Sequence, residues 1–159
     1  MSGDCITVLG AGSWGTALAI RLAHNHNTTI LWGHEPHFMA DLQDSRENTQ
    51  YLPGITFPDN LLIEFDLSRA IGQCRDLLIV VPSHALREVV QQAAAYFTPK
   101  TRIAWATKGL ESGSGKFMQE VIEEELGTRY PTAVLSGPTF AKEVAIGLPT
   151  ALTVASFNP

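Results

Sequence analysis

The chain has 159 residues, enough for one domain with a substantial hydrophobic core. Hydrophobic residues make up 45% and charged residues 17% of the sequence, which excludes an intrinsically disordered chain. The formal net charge of −5 argues against a nucleic-acid partner, because phosphate backbones select basic surfaces.

The first half of the chain alternates short apolar strands with helices. The β-branched run at residues 5–9 stops at Gly10, as a buried parallel strand does, and an Ala- and Leu-rich helix is predicted from residue 13 to about residue 25. Residues 28–32 predict a second strand, and a helix with proline in its first turn covers residues 36–46. We expect residues 48–60 to form an irregular surface loop, part of which is able to act as a lid.

The second half repeats the alternation. Residues 76–81 are the plainest strand, because their apolar character predicts a position covered on both faces. The helix after it carries an apolar stripe at helical spacing, formed by Leu86, Val89, Val90, Ala93, Ala94 and Phe97. Three further strands are predicted at residues 102–106, 132–135 and 150–155, and a further helix at residues 116–126. The pattern predicts an α/β fold with a doubly wound, mostly parallel sheet, as in Rossmann-like domains.

Neither an export signal nor a membrane span is visible. The chain starts without a basic region and a long apolar run, and no apolar stretch approaches the roughly 20 residues of a membrane helix. The expected location is therefore cytoplasmic. Cys5 and Cys74 are the only cysteines. They have no metal-ligand spacing, so we expect no metal site and two buried thiols rather than a disulfide.

A glycine-rich turn, Gly10-Ala11-Gly12-Ser13-Trp14-Gly15, joins the first strand to the first helix. In a dinucleotide-binding fingerprint the first glycine permits a tight turn, the second lets the backbone approach a diphosphate, and the third lets helix and strand pack closely. The helix N-terminus then offers free N–H groups to the diphosphate. Ser13 either donates to a phosphate or caps the helix, and Trp14 is expected to line the coenzyme groove.

The end of the second strand bears on the choice of coenzyme. An NAD fingerprint places an acidic residue there for the adenosine ribose. This sequence has Gly33-His34-Glu35, so the expected contact position is not acidic. His34 is able to contact a 2′-phosphate or to remain a solvated loop residue. The pattern favours NADP, while Glu35 leaves NAD open.

Three further segments follow strands whose carboxyl ends should meet at the ligand-binding edge of the sheet. Pro82 ends one strand beside the expected nicotinamide ribose. Lys108 stands next to Gly109 after another strand, where a lysine can bind an anion or a carbonyl group. The segment Ser136-Gly137-Pro138-Thr139 looks like a turn into a helix, where Thr139 either holds substrate oxygens or caps the helix.

Taken together, these residues closely resemble the N-terminal domain of bacterial-type NAD(P)-dependent glycerol-3-phosphate dehydrogenases. The resemblance covers nearly the whole chain, at residues 10–19, 31–34, 48–54, 81–83, 107–111 and 135–143. Its most specific parts are Asn-x-x-Tyr-Leu-Pro-Gly, which starts at Asn48, and Ser-Gly-Pro-Thr-Phe-Ala-Lys-Glu, which starts at Ser136.

The resemblance implies reversible reduction of dihydroxyacetone phosphate to sn-glycerol 3-phosphate with NAD(P)H, for phospholipid synthesis. It implies a contact shared by coenzyme and substrate at Lys108, and substrate contacts by Gly137 and Thr139. The residues that it implies in coenzyme contacts are Ser13, Trp14, His34 and Ala141.

The resemblance also implies a second domain. The family's proton-transferring lysine belongs to a helical C-terminal domain, which is expected beyond Pro159. No catalytic residue is therefore assigned in this chain, and Lys142 receives no role. Residues 1–159 are expected to be the NAD(P)-binding domain, cut at a domain boundary, of a homodimeric enzyme.

Two other functions fit the same fold. Related two-domain dehydrogenases act on hydroxyacids, ketopantoate or acyl-CoA, and the segment from residue 136 to 143 disfavours them. A regulatory module that binds NAD(P) without chemistry is the alternative from another class. Lys108 and Thr139 argue against it, because a sensor needs no substrate contacts.

Overall fold

The computed structural model describes residues 4–25 and 27–156. The prediction that the chain starts without an export signal rests partly on residues 1–3, which lie outside the described residues. The domain boundary expected at Pro159, and the proton-transferring lysine expected beyond it, lie outside them too. Within the described ranges, helices and strands alternate along the chain as the sequence predicts, except at residues 47–64, where three strands follow one another.

Nine strands and six helices are described. The strands are β1 (Cys5–Leu9), β2 (Thr28–Trp32), β3 (Glu47–Asn48), β4 (Leu52–Thr56), β5 (Leu61–Glu64), β6 (Asp76–Ile79), β7 (Arg102–Trp105), β8 (Thr132–Ser136) and β9 (Thr153–Ser156). The helices are α1 (Ser13–His24), α2 (Pro36–Ser45), α3 (Leu67–Gln73), α4 (Leu86–Ala94), α5 (Met118–Leu126) and α6 (Ala141–Ala145).

Seven strands form the main sheet, in the order β5-β2-β1-β6-β7-β8-β9. Every neighbouring pair is parallel except β8 and β9, which are antiparallel. From β1, the sheet extends on one side through β2 and on the other side through β6. The strand order therefore reverses between β1 and β6, and in such sheets this switch point is where ligands bind.

Helices cover both faces of this sheet. Side chains alternate along each strand, so Val8 packs on one face and Leu9 on the other. Buried residues of α1, α2 and α6 share the face of Val8, while those of α3, α4 and α5 share the face of Leu9. The predicted α/β, doubly wound, mostly parallel fold is confirmed.

The segment after α2 differs from the prediction. Instead of one irregular loop, residues 47–56 form the antiparallel pair β3–β4, followed by β5 at the edge of the main sheet and by α3. Asn48, placed by the sequence in a surface loop, is fully buried. The prediction of a lid-like loop is therefore wrong at Asn48. A short two-stranded ladder accepts Pro53 and Gly54 in β4, although both residues break longer strands.

The cysteine prediction is also wrong, because the structure joins Cys5 and Cys74 in a disulfide with Cα atoms 5.2 Å apart. Cys5 begins β1, and Cys74 ends α3 just before β6. Since β1 and β6 are parallel neighbours with Ile6 paired to Asp76, both cysteines arrive at the amino edge of the sheet. Their separation of 69 residues hid this proximity in the sequence.

Candidate functional site

A cleft of about 890 Å³ opens at the carboxyl edge of the sheet, at the switch point between β1 and β6. Hydrogen bonds join the end of β1 to both of its neighbours there: Val80 N, just after β6, donates to Leu9 O (2.8 Å), and Gly10 N donates to Trp32 O at the end of β2 (2.8 Å). All the residues predicted from the sequence to contact coenzyme line this cleft: Gly10, Gly12, Ser13, Trp14, Gly15, His34, Pro82, Lys108 and Ala141.

Glycine occupies three positions of the turn for different physical reasons. Gly10 adopts a φ of +122°, and a Cβ there would lie 2.5 Å from Val80 O. A Cβ at Gly15 would lie 1.9 Å from Gly10 O, so only glycine lets α1 approach the turn. At Gly12 a Cβ would meet nothing within 4 Å. Packing therefore requires the first and third glycines, whereas the second keeps space open in the cleft.

The first turn of α1 faces the same space. Gly12 is its N-cap and supplies no side-chain cap, and Ser13 is the first helical residue, so the capping interpretation of Ser13 is wrong. Uncapped N–H groups at a helix start, beside backbone that no side chain covers, form a cradle for an anion. These residues fit the diphosphate of a dinucleotide.

Trp14 and Lys108 meet across the cleft. The Lys108 Nζ lies 5.2 Å from the centroid of the Trp14 ring, within the range of a cation–π contact. The Trp14 Nε1 atom is buried and has no hydrogen-bond partner among the described residues. A buried indole N–H normally has an acceptor, so this atom points to one supplied from outside the chain.

A smaller cavity of about 460 Å³ adjoins the cleft, and Gly137 and Lys108 line it. Lys108 lines both spaces, so this residue lies between them. The absence of a side chain at Gly137 has a packing reason, because a Cβ there would lie 2.7 Å from Ala151 O.

Thr139 lines the main cleft, and its Oγ1 is buried without a partner among the described residues. The residue at the N-cap of α6 is Phe140, so the capping interpretation of Thr139 is wrong. A buried hydroxyl without a partner costs free energy unless something else binds it. Like Trp14 Nε1, it marks a surface prepared for a polar ligand.

The remaining predicted residues lie at the borders of the cleft. His34 is exposed, with Nε2 3.4 Å from Glu35 Oε1, just beyond β2. A Cβ at Gly33 would lie 2.7 Å from Met39 Sδ and 3.1 Å from Ala11 Cβ, so a larger residue between β2 and His34 would require the Met39 side chain to shift. Pro82 and Ala141 line the cleft from the end of β6 and the start of α6.

Several residues of the cleft were not predicted from the sequence. Phe38 and Tyr51 line it near His34 and contact each other edge to face, with centroids 5.3 Å apart. Glu88 and Gln92 reach it from α4. No local sequence pattern distinguishes an aromatic residue of the core from one, such as Phe38, that lines a cleft. Of these four residues, only Tyr51 belongs to a motif of the family resemblance.

The loop that carries Lys108 is anchored by an ion-pair network. Arg87 of α4 binds Glu111 through two hydrogen bonds of 2.7 and 3.0 Å, and it also binds Glu124 and Glu125 of α5. The Arg87 guanidinium, with help from the Ser114 hydroxyl, lowers the pKa of Glu111 to about 2. The same carboxylates raise the pKa of Arg87. The network fixes the loop three residues beyond Lys108.

Within the ranges 4–25 and 27–156, no helix is both long and apolar enough to cross a membrane. The same residues contain no cluster of three side chains able to hold a metal ion.

Comparison with known proteins identifies the family. The family described as the N-terminus of NAD-dependent glycerol-3-phosphate dehydrogenase matches residues 5–159. The NAD(P)+ glycerol-3-phosphate dehydrogenase of Pasteurella multocida is 61% identical over 153 residues, which cover 96% of this chain and 45% of the relative. The corresponding protein of Shewanella frigidimarina is 56% identical over 97% of this chain and 46% of its own length.

Solved structures agree. The glycerol-3-phosphate dehydrogenase of Coxiella burnetii superimposes with a TM-score of 0.93 at 45% identity, over 99% of this chain and 48% of that one. The enzyme of Saccharomyces cerevisiae gives a TM-score of 0.84 at 28% identity, with the same coverage of 99% and 48%. The chain thus spans under half the length of these relatives. It belongs to the family of NAD-dependent glycerol-3-phosphate dehydrogenases, in which it corresponds to the N-terminal domain.

Proposed function

We propose that this chain is the coenzyme-binding domain of an enzyme that reversibly reduces dihydroxyacetone phosphate to sn-glycerol 3-phosphate with NAD(P)H, for phospholipid synthesis. One observation carries the proposal. The cleft at the switch point combines an open glycine cradle at Gly12 with Lys108 and two buried polar atoms, on Trp14 and Thr139, that lack partners among the described residues.

The coenzyme side of the cleft is assigned to the turn and its surroundings. The N–H groups at the start of α1 hold the diphosphate, with Ser13 as a hydroxyl donor. Trp14, Pro82 and Ala141 line the remainder of the coenzyme site. When bound, a nicotinamide coenzyme supplies the hydride, while the protein supplies binding and orientation.

The coenzyme choice is assigned to the end of β2. His34 is exposed beside the cleft and can bind a 2′-phosphate, which supports NADP. Glu35 lies within 3.4 Å of the His34 ring and can accept from ribose hydroxyls, so NAD also fits. The enzyme therefore accepts both coenzymes, with a slight preference for NADP.

The substrate side is assigned to Lys108, Gly137 and Thr139. The ammonium group of Lys108, a residue that lines both cavities, can stabilise the carbonyl oxygen of the ketone as negative charge develops on it. The free Thr139 hydroxyl can bind a substrate oxygen, and Gly137 leaves the floor of the smaller cavity without a side chain. A purely regulatory NAD(P) sensor would not need these groups.

The rest of the machinery is assigned to the part of the relatives that this chain does not span. We place a helical substrate domain there, beyond Pro159, together with the lysine that transfers the proton, so no catalytic acid is assigned within this chain. An acid–base group of this kind contributes about 10²–10⁴-fold in rate. The complete enzyme is proposed to be a cytoplasmic homodimer, which sedimentation analysis and cell fractionation would test.

A titration of the 159-residue chain with NADH and NADPH tests this division of labour. We expect saturable binding, detected as quenching of tryptophan fluorescence, with no turnover of dihydroxyacetone phosphate. The complete protein should turn over this substrate and not hydroxyacids, ketopantoate or acyl-CoA. Absence of coenzyme binding by folded chain would refute the assignment of the cleft. Rapid turnover by the chain alone would refute the assignment of the acid to another domain.

A further inference from the structure

Asn48 is a buried polar residue whose hydrogen bonds end in the glycine-rich turn. It is fully buried in β3, which belongs to a two-stranded ladder separate from the main sheet. Its Nδ2 donates to Ala11 O at 3.0 Å and to Thr16 Oγ1 at 2.8 Å. Its Oδ1 accepts from Tyr51 N at 3.0 Å. Both amide hydrogens and the amide oxygen of this side chain are therefore used.

The bond to Ala11 O fixes a peptide plane that borders the cleft. The Ala11–Gly12 peptide is trans and planar, so its carbonyl oxygen and its N–H point in opposite directions. Asn48 holds the carbonyl oxygen on the buried side, which directs the Gly12 N–H away from the interior. Asn48 itself does not line the cleft, whereas Gly12 does. Any effect of Asn48 on a ligand must therefore be indirect, either through this peptide or through Tyr51, which Asn48 also binds and which lines the cleft.

The turn has little else to hold this plane. Gly12 has no side chain, and a Cβ at this position would meet nothing within 4 Å. Thr16 Oγ1 donates to the same carbonyl oxygen, but at 3.4 Å, and it is itself held by Asn48. The shorter bond from Asn48 is thus the principal constraint on the direction of the Gly12 N–H.

We propose that Asn48 is a positioning residue that orients the Gly12 amide for the coenzyme diphosphate. The proposal rests on the proposed coenzyme site and adds a residue that acts from outside the cleft. It explains why an amide is buried at this point: a side chain with two donors is needed to hold Ala11 O and Thr16 together. An amide held in advance binds an anion better than one that must be ordered on binding.

The test is made in the complete enzyme with two variants of matched chemistry, Asn48→Ala and Asn60→Ala. The Asn60 side chain also donates two hydrogen bonds to backbone oxygens, to Ala23 O and Asn27 O, both at 2.8 Å, but it does not contact the turn. We expect Asn48→Ala to raise the coenzyme KM and Kd by about 10-fold to 100-fold, with kcat and the KM for the ketone within about twofold. Asn60→Ala should leave all four constants near those of the unchanged enzyme.

Competing ligands separate the diphosphate from the rest of the site. For Asn48→Ala, inhibition by ADP should weaken by the same factor as coenzyme binding, while inhibition by adenosine should be unchanged. If inhibition by adenosine weakens by the same factor, the substitution acts through Tyr51 rather than through the Gly12 amide, and the proposal is overturned. Equal losses in the Asn48 and Asn60 variants would overturn it too, because they would show general destabilisation.

Thr16→Val covers the case in which Asn48→Ala does not fold. Valine keeps the shape of threonine but removes both the bond to Ala11 O and the acceptor for Asn48. We expect the coenzyme Kd to rise by about threefold to tenfold, and an unchanged Kd would overturn the proposal. Failure of the unchanged enzyme to bind coenzyme would instead refute the proposed function.

Discussion

The polar groups at the two edges of the main sheet differ in whether they have partners within the chain. At the amino edge, Cys5 is bonded to Cys74, and Arg102 binds both carboxylate oxygens of Asp76 at 2.5 Å. At the carboxyl edge, Trp14 Nε1 and Thr139 Oγ1 are buried without partners among the described residues. The amino edge thus satisfies its polar groups internally and stabilises the fold, whereas the carboxyl edge leaves them free for a ligand.

The strongest test of this contrast lies within the glycine-rich turn. Gly15→Ala places a Cβ 1.9 Å from Gly10 O, so we expect a loss of several kcal/mol in the free energy of unfolding, enough to prevent folding. The Cβ of Gly12→Val meets no protein atom within 4 Å, so only the poorer N-cap should cost stability, about 1 kcal/mol, while coenzyme binding weakens by at least about 100-fold. Urea unfolding and coenzyme titration measure the two effects.

The opposite pattern would contradict this interpretation of the turn. If Gly12→Val lost as much stability as Gly15→Ala and kept its coenzyme affinity, the space beside Gly12 would serve packing rather than a ligand. Wild-type affinity in a folded Gly15→Ala protein would show that α1 can shift without damage to the site.

Lys108 gives the next largest expected effect. In the complete enzyme, Lys108→Ala should lower kcat for dihydroxyacetone phosphate by about 10²–10³-fold, because a cation is lost where negative charge develops. Coenzyme affinity should fall much less, since Lys108 is one of many residues that line the coenzyme cleft. Lys142→Ala is the control, as this exposed lysine of α6 lies outside both cavities. Equal losses of kcat and coenzyme affinity would remove Lys108 from the substrate site.

The sequence predicts the fold and the centre of the site well, because their signals are local. The apolar runs of β1 and β6 and the spacing of Gly10, Gly12 and Gly15 specify buried strands and a helix that starts at a bare turn. Each signal lies within a few residues of the structure that it encodes. Parallel strands then bring Lys108 to the same edge of the sheet, at the end of β7.

What could not be predicted depends on contacts between distant parts of the chain. Asn48 binds Ala11 across 37 residues, and the sequence around it contains proline and glycine, which favour a loop. Cys5 and Cys74 meet only because β1 and β6 are neighbours. The short helix α3 contains Gly72 and gives too weak a periodic signal. The contacts of Asn48 and of the two cysteines depend on the topology of the fold, which single-sequence patterns do not contain.

Loss of the disulfide at the amino edge should have a smaller effect, on stability and not on coenzyme binding. Reducing the Cys5–Cys74 bond should lower the free energy of unfolding by about 2–4 kcal/mol, because it closes a long loop in the unfolded chain. Coenzyme affinity should not change, since the bond lies at the opposite edge from the cleft. The measurement compares urea unfolding and coenzyme titration with and without a reducing agent. A Cys5→Ala, Cys74→Ala double variant is the control, and it should not respond to the reducing agent.

The smallest expected effect concerns the ion pair behind Lys108 and its dependence on pH. Arg87 lowers the pKa of Glu111 from its ordinary 4.5 to about 2, so the pair contributes stability above pH 4.5 and loses it as the pH falls towards 2. Glu111→Gln should therefore lower the melting temperature by a few degrees at pH 7, and the difference should shrink between those two pH values. In an Arg87→Gln background the same substitution should show no such dependence on pH, because the partner that lowers the pKa is gone. A difference that persists unchanged in that background would assign the effect to Ser114, which also binds Glu111, rather than to the ion pair.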